Sequence, residues 1–390
     1  MNVSNLSNRI QTGFALWFLA LNFLNLVAWS FGSYLHPVLF LVSFMAFIPL
    51  SFLDLQRNWM ILATFICFIL IILGAPLFDW DARYIWFFHG KRIFFDNNLY
   101  AQLDNYFWEI HNDYPVLVPA IAASFAKGVG FWNEVFPRLS VIPVLFPVFM
   151  VLRLLIKRNG IFGLSVVGIL FVGKQYLVNG YMDALLGLYG AAACLLVVKL
   201  NSEEWKWETY LMLWGILLTL PMIKNEGLLA SLLIWLSMIP VFWNRKAALV
   251  LPVLAFALYY LLWKQPVSSA GIETTDLFVP GILNRAMNRL GRWDELSELS
   301  NSVLKVSGVY YLGLLIFILR FRKQLRSWIT PIFFVLSYSA AMLVVYLITA
   351  LDLKFHLDHS VDRTFLIVNL GIFLMLVKFY DNRAEIEMKA

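Results

Sequence analysis

The sequence has little charge, little cysteine and no polar segment long enough to form a separate soluble domain. Of its 390 residues, 14% are charged and 61% are hydrophobic, whereas a soluble domain has roughly 25% charged and 45–50% apolar residues. This composition excludes a soluble globular protein. Cys67 and Cys194 both lie inside apolar runs, which favours small buried side chains over a disulfide or a metal pair. The sequence also lacks a glycine-rich loop of the kind that holds the phosphates of ATP.

Apolar runs recur from one end of the chain to the other. A run of about 20 residues can cross the roughly 30 Å hydrocarbon core of a bilayer as a helix. The sequence therefore predicts an all-α integral membrane protein, a single polytopic domain over residues 1–390 with about twelve transmembrane helices. The predicted spans are residues 12–31, 35–54, 58–78, 139–156, 160–178, 181–200, 208–223, 226–243, 246–263, 305–321, 328–350 and 364–380.

Basic residues in short loops set the predicted orientation, and they explain the formal net charge of +6 without a nucleic-acid partner. The positive-inside rule places such loops in the cytoplasm, here residues 320–326, 153–158 and 245–246. Both termini are then cytoplasmic. Counting spans from these loops places three polar segments together on the opposite side, namely residues 79–113, 264–304 and 351–363. This arrangement requires the short apolar segment 114–128, which contains two prolines, to be a re-entrant half-helix.

Two of the outer segments have the composition of helices that lie in the membrane interface. Residues 82–95 combine aromatic side chains with Arg83, Lys91 and Arg92, which we expect to face lipid phosphates. Residues 281–298 carry arginines at i, i+4 and i+7 beside an apolar stripe. Both patterns predict amphipathic helices in the outer loops.

Acidic residues on the outer side suggest proton transfer or cation binding. Asp79 and Asp81, at i and i+2 directly after a predicted span, can bind a divalent metal or supply a general base. His111 and Asp113 add an imidazole and a carboxylate at the start of segment 114–128, and Asp183 opens a later span. The alternative is that these residues only terminate or cap helices.

Basic side chains on the same side suggest binding of an anion. Lys224 and Glu226 interrupt two runs that otherwise read as one helix, and such a break in apolar sequence is more often functional than not. His356, His359 and Arg363 lie at i, i+3 and i+7, so they share one face if they are helical. Two imidazoles and a guanidinium suit a phosphate better than a metal, although a solvated loop is an equal alternative. We expect these cations to form a positive pocket that Asp358 and Asp362 only partly neutralise.

The order of these motifs resembles the GT-C superfamily of membrane glycosyltransferases, such as the protein O-mannosyltransferases and the aminoarabinose transferases. The resemblance lies in FDWDARYIWFFHGKRIFF, HNDYP, GYMDALL, KNEG and HLDHSVDR, between residues 79 and 380 or so. It implies a sugar donor on polyprenyl or dolichyl phosphate, transfer on the periplasmic or lumenal face, and inversion at the anomeric carbon. Asp79 or Asp81 would then be the base, Asp183 the second acid, and Arg363 with His359 the group that holds the lipid phosphate. The chain has three predicted spans before the acidic motif, where most members have one.

Two readings from other classes remain open. A transporter or flippase of a lipid-linked saccharide also has intramembrane charges and broken helices, and a structural subunit would need none of the acids. The expected setting is the bacterial inner membrane with the site facing the periplasm, and the endoplasmic reticulum is the alternative. The expected partners are the donor lipid, membrane lipids and a glycan, lipid or protein acceptor. A divalent metal at Asp79 and Asp81 is the one cofactor that the sequence suggests.

Overall fold

The structure, a computed structural model, describes residues 3–74, 79–107, 110–202, 205–272 and 280–387. These residues form seventeen α-helices joined by short turns, with no β-strand among them. In chain order the helices are α1 (Val3–Ser30), α2 (Val38–Ser51), α3 (Leu55–Gly74), α4 (Phe87–Asp96), α5 (Leu117–Val129), α6 (Val141–Leu155), α7 (Asn159–Gly173), α8 (Asp183–Ser202), α9 (Trp207–Ile223), α10 (Asn225–Phe242), α11 (Lys246–Tyr259), α12 (Gln265–Ser269), α13 (Ile282–Leu290), α14 (Trp293–Arg320), α15 (Ile329–Ile348), α16 (Leu353–Thr364) and α17 (Leu366–Glu387).

Helix α8 lies at the centre of the bundle, where 94% of its apolar stretch is buried and where it packs against α6, α9 and α17. Its sequence is rich in glycine and alanine, which let neighbouring helices approach closely in a membrane, where burial of apolar surface drives no association. At Gly187 an added Cβ would lie 3.2 Å from the Cα of Ile367. The start of α8, which carries Asp183, is therefore fixed by close backbone packing.

The outer helices expose large apolar side chains, as lipid contact requires. Leu164 and Phe171 on α7 are 71% and 80% exposed, and Val309 on α14 is 72% exposed. Within the described residues, nine helical segments are long and apolar enough to cross a membrane. Each of them overlaps one predicted span, although Trp293–Arg320 and Leu353–Ala384 begin about twelve residues earlier than predicted. The chain is thus an all-helical integral membrane protein.

The other three predicted spans lie on apolar helices of 10–17 residues, Val38–Asp54, Asn58–Gly74 and Trp207–Ile223. The proposed half-helix corresponds to α5, which has 13 residues. All four apolar segments are shorter than the roughly 20 residues of a typical full crossing.

The predicted interfacial helix 281–298 is two helices. Helix α13 ends at Leu290, and α14 begins at Trp293 after Gly291 and an extended Arg292. The apolar face of α13 is exposed at Leu283 and Met287.

The arginines of α13 bind backbone carbonyls at the end of α15 instead of facing solvent. Nε of Arg285 donates to the carbonyl of Ile348 at 2.9 Å, and Nη1 of Arg289 donates to that of Thr349 at 2.9 Å. They satisfy acceptors that a helix leaves free at its C-terminus.

Residues 82–95 are helical as predicted, but Arg92 does not face lipid phosphates. The segment begins as a π-helical turn over Ala82–Trp86 and continues as α4. Arg92 is buried and donates at 2.9 Å to the carbonyls of both Leu99 and Ala101. The guanidinium stabilises the loop after α4, because its burial demands protein acceptors.

The two ends of the bundle differ in their polar groups. Near the end of α17, buried Asp381 accepts hydrogen bonds from the backbone N–H of Lys157 at 3.0 Å and from Nε of Arg158 at 3.2 Å. At 1.5 Å per residue, this cluster is about 22 Å along α17 from Leu366. The predicted site residues Arg363 and Asp183 lie at the other end, where α16 ends and α8 begins.

Candidate functional site

Lys224 forms the break between α9 and α10. Its backbone is extended, with φ −160° and ψ 156°, so the helical hydrogen bonds of α9 stop at Ile223 and those of α10 start at Asn225. The turn is tight: a Cβ added to Gly227 would lie 1.9 Å from the carbonyl oxygen of Leu220. Only glycine fits at position 227 with this backbone.

The ammonium of Lys224 is buried between two carboxylates. Its Nζ is 2.9 Å from Oδ1 of Asp183 and 2.9 Å from Oε1 of Glu226. Lys224 and Asp183 are 8% and 3% exposed, so each charge needs the other as a partner. The three side chains, from the start of α8 and the break before α10, form what we call the lysine triad.

Two buried oxygens of the lysine triad and one beside it have no hydrogen-bond partner among the described residues. They are Oδ2 of Asp183, Oε2 of Glu226 and the hydroxyl of Tyr338 on α15. Tyr338 is fully buried and lies within electrostatic range of both acids. Native proteins rarely leave such groups unsatisfied, and water or a ligand hydroxyl is the chemistry that would complete them.

Arg363, in the last turn of α16, forms an ion pair with Asp81 through Nη1 and Oδ2. Its guanidinium carbon lies 4.9 Å from the centre of the Tyr181 ring, a cation–π contact. Asp183 is near enough to attract it electrostatically. The side chains of Arg363 and Asp81 remain 17% and 23% exposed. This pair is therefore the accessible part of the charged cluster, and the lysine triad is its buried part.

Asp79 and Asp113 are each held by an asparagine amide. Nδ2 of Asn179 donates to Oδ2 of Asp79, and Nδ2 of Asn225 donates to Oδ2 of Asp113 at 2.7 Å. Nε1 of Trp263 also donates to the backbone carbonyl of Asp113, at 2.8 Å. Asp113 does not cap α5, which begins at Leu117. Its carboxylate ties the loop before α5 to the break at the start of α10.

The predicted histidines make local ring contacts. The ring of His111 stacks on that of Tyr114 with centroids 4.5 Å apart, and the ring of His356 lies 4.9 Å from that of Tyr346. His359 is exposed, and its Nδ1 lies 2.7 Å from the carbonyl oxygen of Phe355 one turn earlier. The ion-pair partner of Arg363 is Asp81, whereas His359 contacts Phe355 of its own helix.

His89, which sequence reasoning did not single out as a site residue, is a structural imidazole. It is fully buried, and its Nε2 lies 3.0 Å from the carbonyl oxygen of Ile110 and 3.2 Å from that of His111. Carbonyls only accept, so Nε2 carries the proton. Burial, reinforced by the charge of Arg92, lowers the pKa of His89 to about 3. The ring is neutral near pH 7 and holds the loop that contains His111.

The expected positive pocket is not found. Both cations of the cluster are matched: Lys224 by Asp183 and Glu226, and Arg363 by Asp81. Three carboxylates against two cations give the cluster a net charge of about −1 when all five groups are ionised. The prediction was wrong because spacing along the chain shows which residues are basic but not which distant acids pack against them.

The possible metal site at Asp79 and Asp81 has little support in the side-chain arrangement. Asp81 is paired with a guanidinium, which repels cations, and Asp79 accepts a hydrogen bond from Asn179. In the part of the chain that the structure describes, no three histidine, cysteine, aspartate or glutamate side chains are grouped as a metal ion would need. The carboxylates of Asp79 and Asp81 are therefore already engaged by other side chains.

Two residues of the cluster were outside the sequence prediction. Asn179 precedes the GYMDALL motif, and Tyr338 lies within an apolar span. An asparagine at a span end is a weak signal, and a tyrosine inside a span gives none until its neighbours are known.

Comparison of the chain with protein families, curated proteins and solved structures finds no match.

Proposed function

We propose that the chain is a membrane glycosyltransferase of the GT-C type, with about twelve spans, which transfers a sugar from a polyprenyl-phosphate donor to a hydroxyl of a glycan, lipid or protein. The observation that carries the proposal is the convergence of Asp81, Asp183, Lys224, Glu226 and Arg363 into one cluster. They come from four separate segments and supply the two functions that the reaction needs, a base and a cation for the phosphate. We place the site on the periplasmic face of a bacterial inner membrane.

The chemistry assigns a role to each accessible group. The acceptor oxygen attacks the anomeric carbon and forms the new glycosidic bond, and its proton passes to the carboxylate of Asp81. The bond between the anomeric carbon and the phosphate oxygen breaks, and its electron pair leaves with the lipid phosphate. Arg363 stabilises the charge that develops there. Asp81 is favoured over Asp79 as the base because its side chain is 23% exposed at the accessible part of the cluster, whereas Asp79 already accepts a hydrogen bond from Asn179.

The lysine triad suits recognition of the sugar. Carboxylates and a tyrosine hydroxyl bind neutral hydroxyl groups well, and the lysine between them balances part of their charge. We propose that Asp183, Glu226 and Tyr338 face the sugar ring, with His111, Asp113, His356 and His359 shaping the segments around it.

A transfer assay in detergent tests the proposal, since detergent removes any gradient or sidedness. The purified protein is incubated with a panel of polyprenyl-phosphate sugars and simple acceptors, and glycosylated product is measured. We expect product with the wild type and a loss of about 10²–10⁴-fold in Asp81→Asn. The variant Arg363→Lys should also lose activity although it keeps the positive charge, because an ammonium does not reproduce the planar guanidinium fork. The broken helix at Lys224 is also typical of transporters, and absence of product with every donor would favour that reading.

A further inference from the structure

The ion pair between Arg363 and Asp81 joins the two groups that the proposed reaction must keep apart. Inversion requires the base and the leaving phosphate to lie on opposite faces of the anomeric carbon. The acceptor oxygen lies between base and sugar, so a carboxylate oxygen of the base is about 6 Å from the anomeric carbon. Direct contact between Asp81 and Arg363 leaves no space for a sugar between them.

The surroundings indicate which member of the ion pair stays in place and which one leaves. Arg363 lies over the Tyr181 ring and is attracted by Asp183, so its position has support independent of Asp81. Asp81 lies at the start of a π-helical turn, which is a short and irregular element. With 17% and 23% of the two side chains exposed, an anion can reach Arg363 from the accessible side.

We propose that Asp81 occupies the phosphate site of Arg363 as an internal anion, and that the phosphate group of a polyprenyl phosphate takes its place. The proposal rests on the function proposed above and adds the location of its anion site. A carboxylate and a phosphate present similar oxygens to a guanidinium, which binds both as a fork. Binding of the donor releases Asp81, and only then is its carboxylate free to accept the proton of the acceptor. The base is thus blocked until the donor is bound.

The charge of the cluster also favours exchange over simple addition. Two cations already face three acids, so a phosphate added to the intact cluster would meet a net negative charge. Lys224 is buried and satisfied by Asp183 and Glu226. Arg363 is therefore the cation that an incoming phosphate can use, and Asp81 is its competitor.

A binding experiment on the full-length protein in lipid nanodiscs tests the exchange. The probe is polyprenyl phosphate without a sugar, and its Kd is compared among wild type, Asp81→Asn, Asp81→Ala and Arg363→Gln. We expect both Asp81 variants to bind about fivefold to tenfold more tightly than wild type, a modest factor because the pair is partly exposed. Combining Arg363→Gln with Asp81→Asn should remove the gain. Asp358→Asn is the matched control, since Asp358 is exposed on α16 and its loss changes the net charge equally.

Each outcome decides the proposal. Equal or weaker binding in both folded Asp81 variants overturns it, as does an equal gain in Asp358→Asn, which would show only a general effect of charge. Inorganic phosphate is added as a competitor in a second arm. Displacement of the lipid at comparable concentrations would assign the site to free phosphate and overturn the lipid assignment.

The transfer assay separates this inference from the proposed function. Transfer by wild type without any gain in affinity overturns the exchange and leaves the transferase. A gain in affinity without transfer from any donor overturns the transferase and leaves the exchange.

Discussion

Replacement of Lys224 by methionine should destabilise the protein more than any comparable change at an exposed lysine. Methionine retains most of the length and apolar volume of the side chain but removes the charge. Asp183, which is 3% exposed, would then be a buried carboxylate without its cation. The protein must either protonate this group or admit water to it.

The structure sets the size of the effect. Removing one partner of a buried ion pair costs about 3–5 kcal/mol. The side chain of Asp183 is 5% exposed and that of Glu226 is 30% exposed, so Glu226 can be solvated in part, and most of the loss comes from Asp183. We expect a loss of about 3 kcal/mol in the free energy of unfolding. In the double variant Lys224→Met, Asp183→Asn, the loss should fall short of the sum of the single losses by about 2 kcal/mol.

The assay is reversible unfolding in mixed micelles, in which the fraction of dodecyl sulfate is raised and helix content is followed by circular dichroism. Lys91→Met is the control, because Lys91 is exposed on α4 and surface changes usually stay within about 0.5 kcal/mol. Equal losses in Lys224→Met and Lys91→Met, or strictly additive single changes in the double variant, would refute the role assigned to the lysine triad.

Two further predictions concern the pH dependence of stability and the sidedness of the chain. His89 has a pKa of about 3 in the fold against 6.5 as its ordinary value, so the unfolded chain binds the extra proton between these values and stability falls as pH decreases from about 6.5 to 3. His89 should lower the free energy of unfolding of the wild type by about 2 kcal/mol at pH 5 relative to pH 7.5, and this contribution should be missing in His89→Gln. If the free energies of wild type and variant differ equally at the two pH values, His89 does not titrate in this way. Cysteines at exposed positions Lys91 and Asp358 should react with an impermeant thiol reagent from one face of the membrane and a cysteine at Gln324 from the other, whereas labelling of 91 and 358 from opposite faces would contradict a single polar site.

The helices were largely predictable from the sequence because each span is a local property of the chain. A run of apolar residues has to cross the bilayer as a helix whatever surrounds it, and the nine described helical segments that are long and apolar enough to cross a membrane each overlap a predicted span. The end of α13 at Leu290 was missed, since a pattern of arginines and apolar residues continued past Gly291. Helix ends in polar loops depend on tertiary contacts, here those of Arg285 and Arg289 with α15.

The residues of the candidate site were predictable from the sequence, but the ion pairs that they form with one another were not. Acids and bases at span ends were recognisable because charge is costly in a membrane. Their pairing was not, since Asp81 and Arg363 are 282 positions apart and meet only after α8, α16 and α17 have packed. The same limit explains the wrong expectation of a positive pocket. It also explains why Tyr338, an ordinary residue of a predicted span, was passed over.

The tight turn at Gly227 gives neighbouring positions of one loop very different tolerance to mutation. Position 227 accepts no side chain, because any Cβ would collide with the carbonyl oxygen of Leu220. Lys224 is constrained by charge from two sides, because a carboxylate at position 224 would face the buried carboxylate of Asp183. A saturation-mutagenesis map of residues 220–230 should therefore show a column at 227 in which every codon except those for glycine is depleted, even though this residue carries no functional group. Related chains should then retain glycine at 227 for space and lysine at 224 for charge, two independent constraints in one short loop.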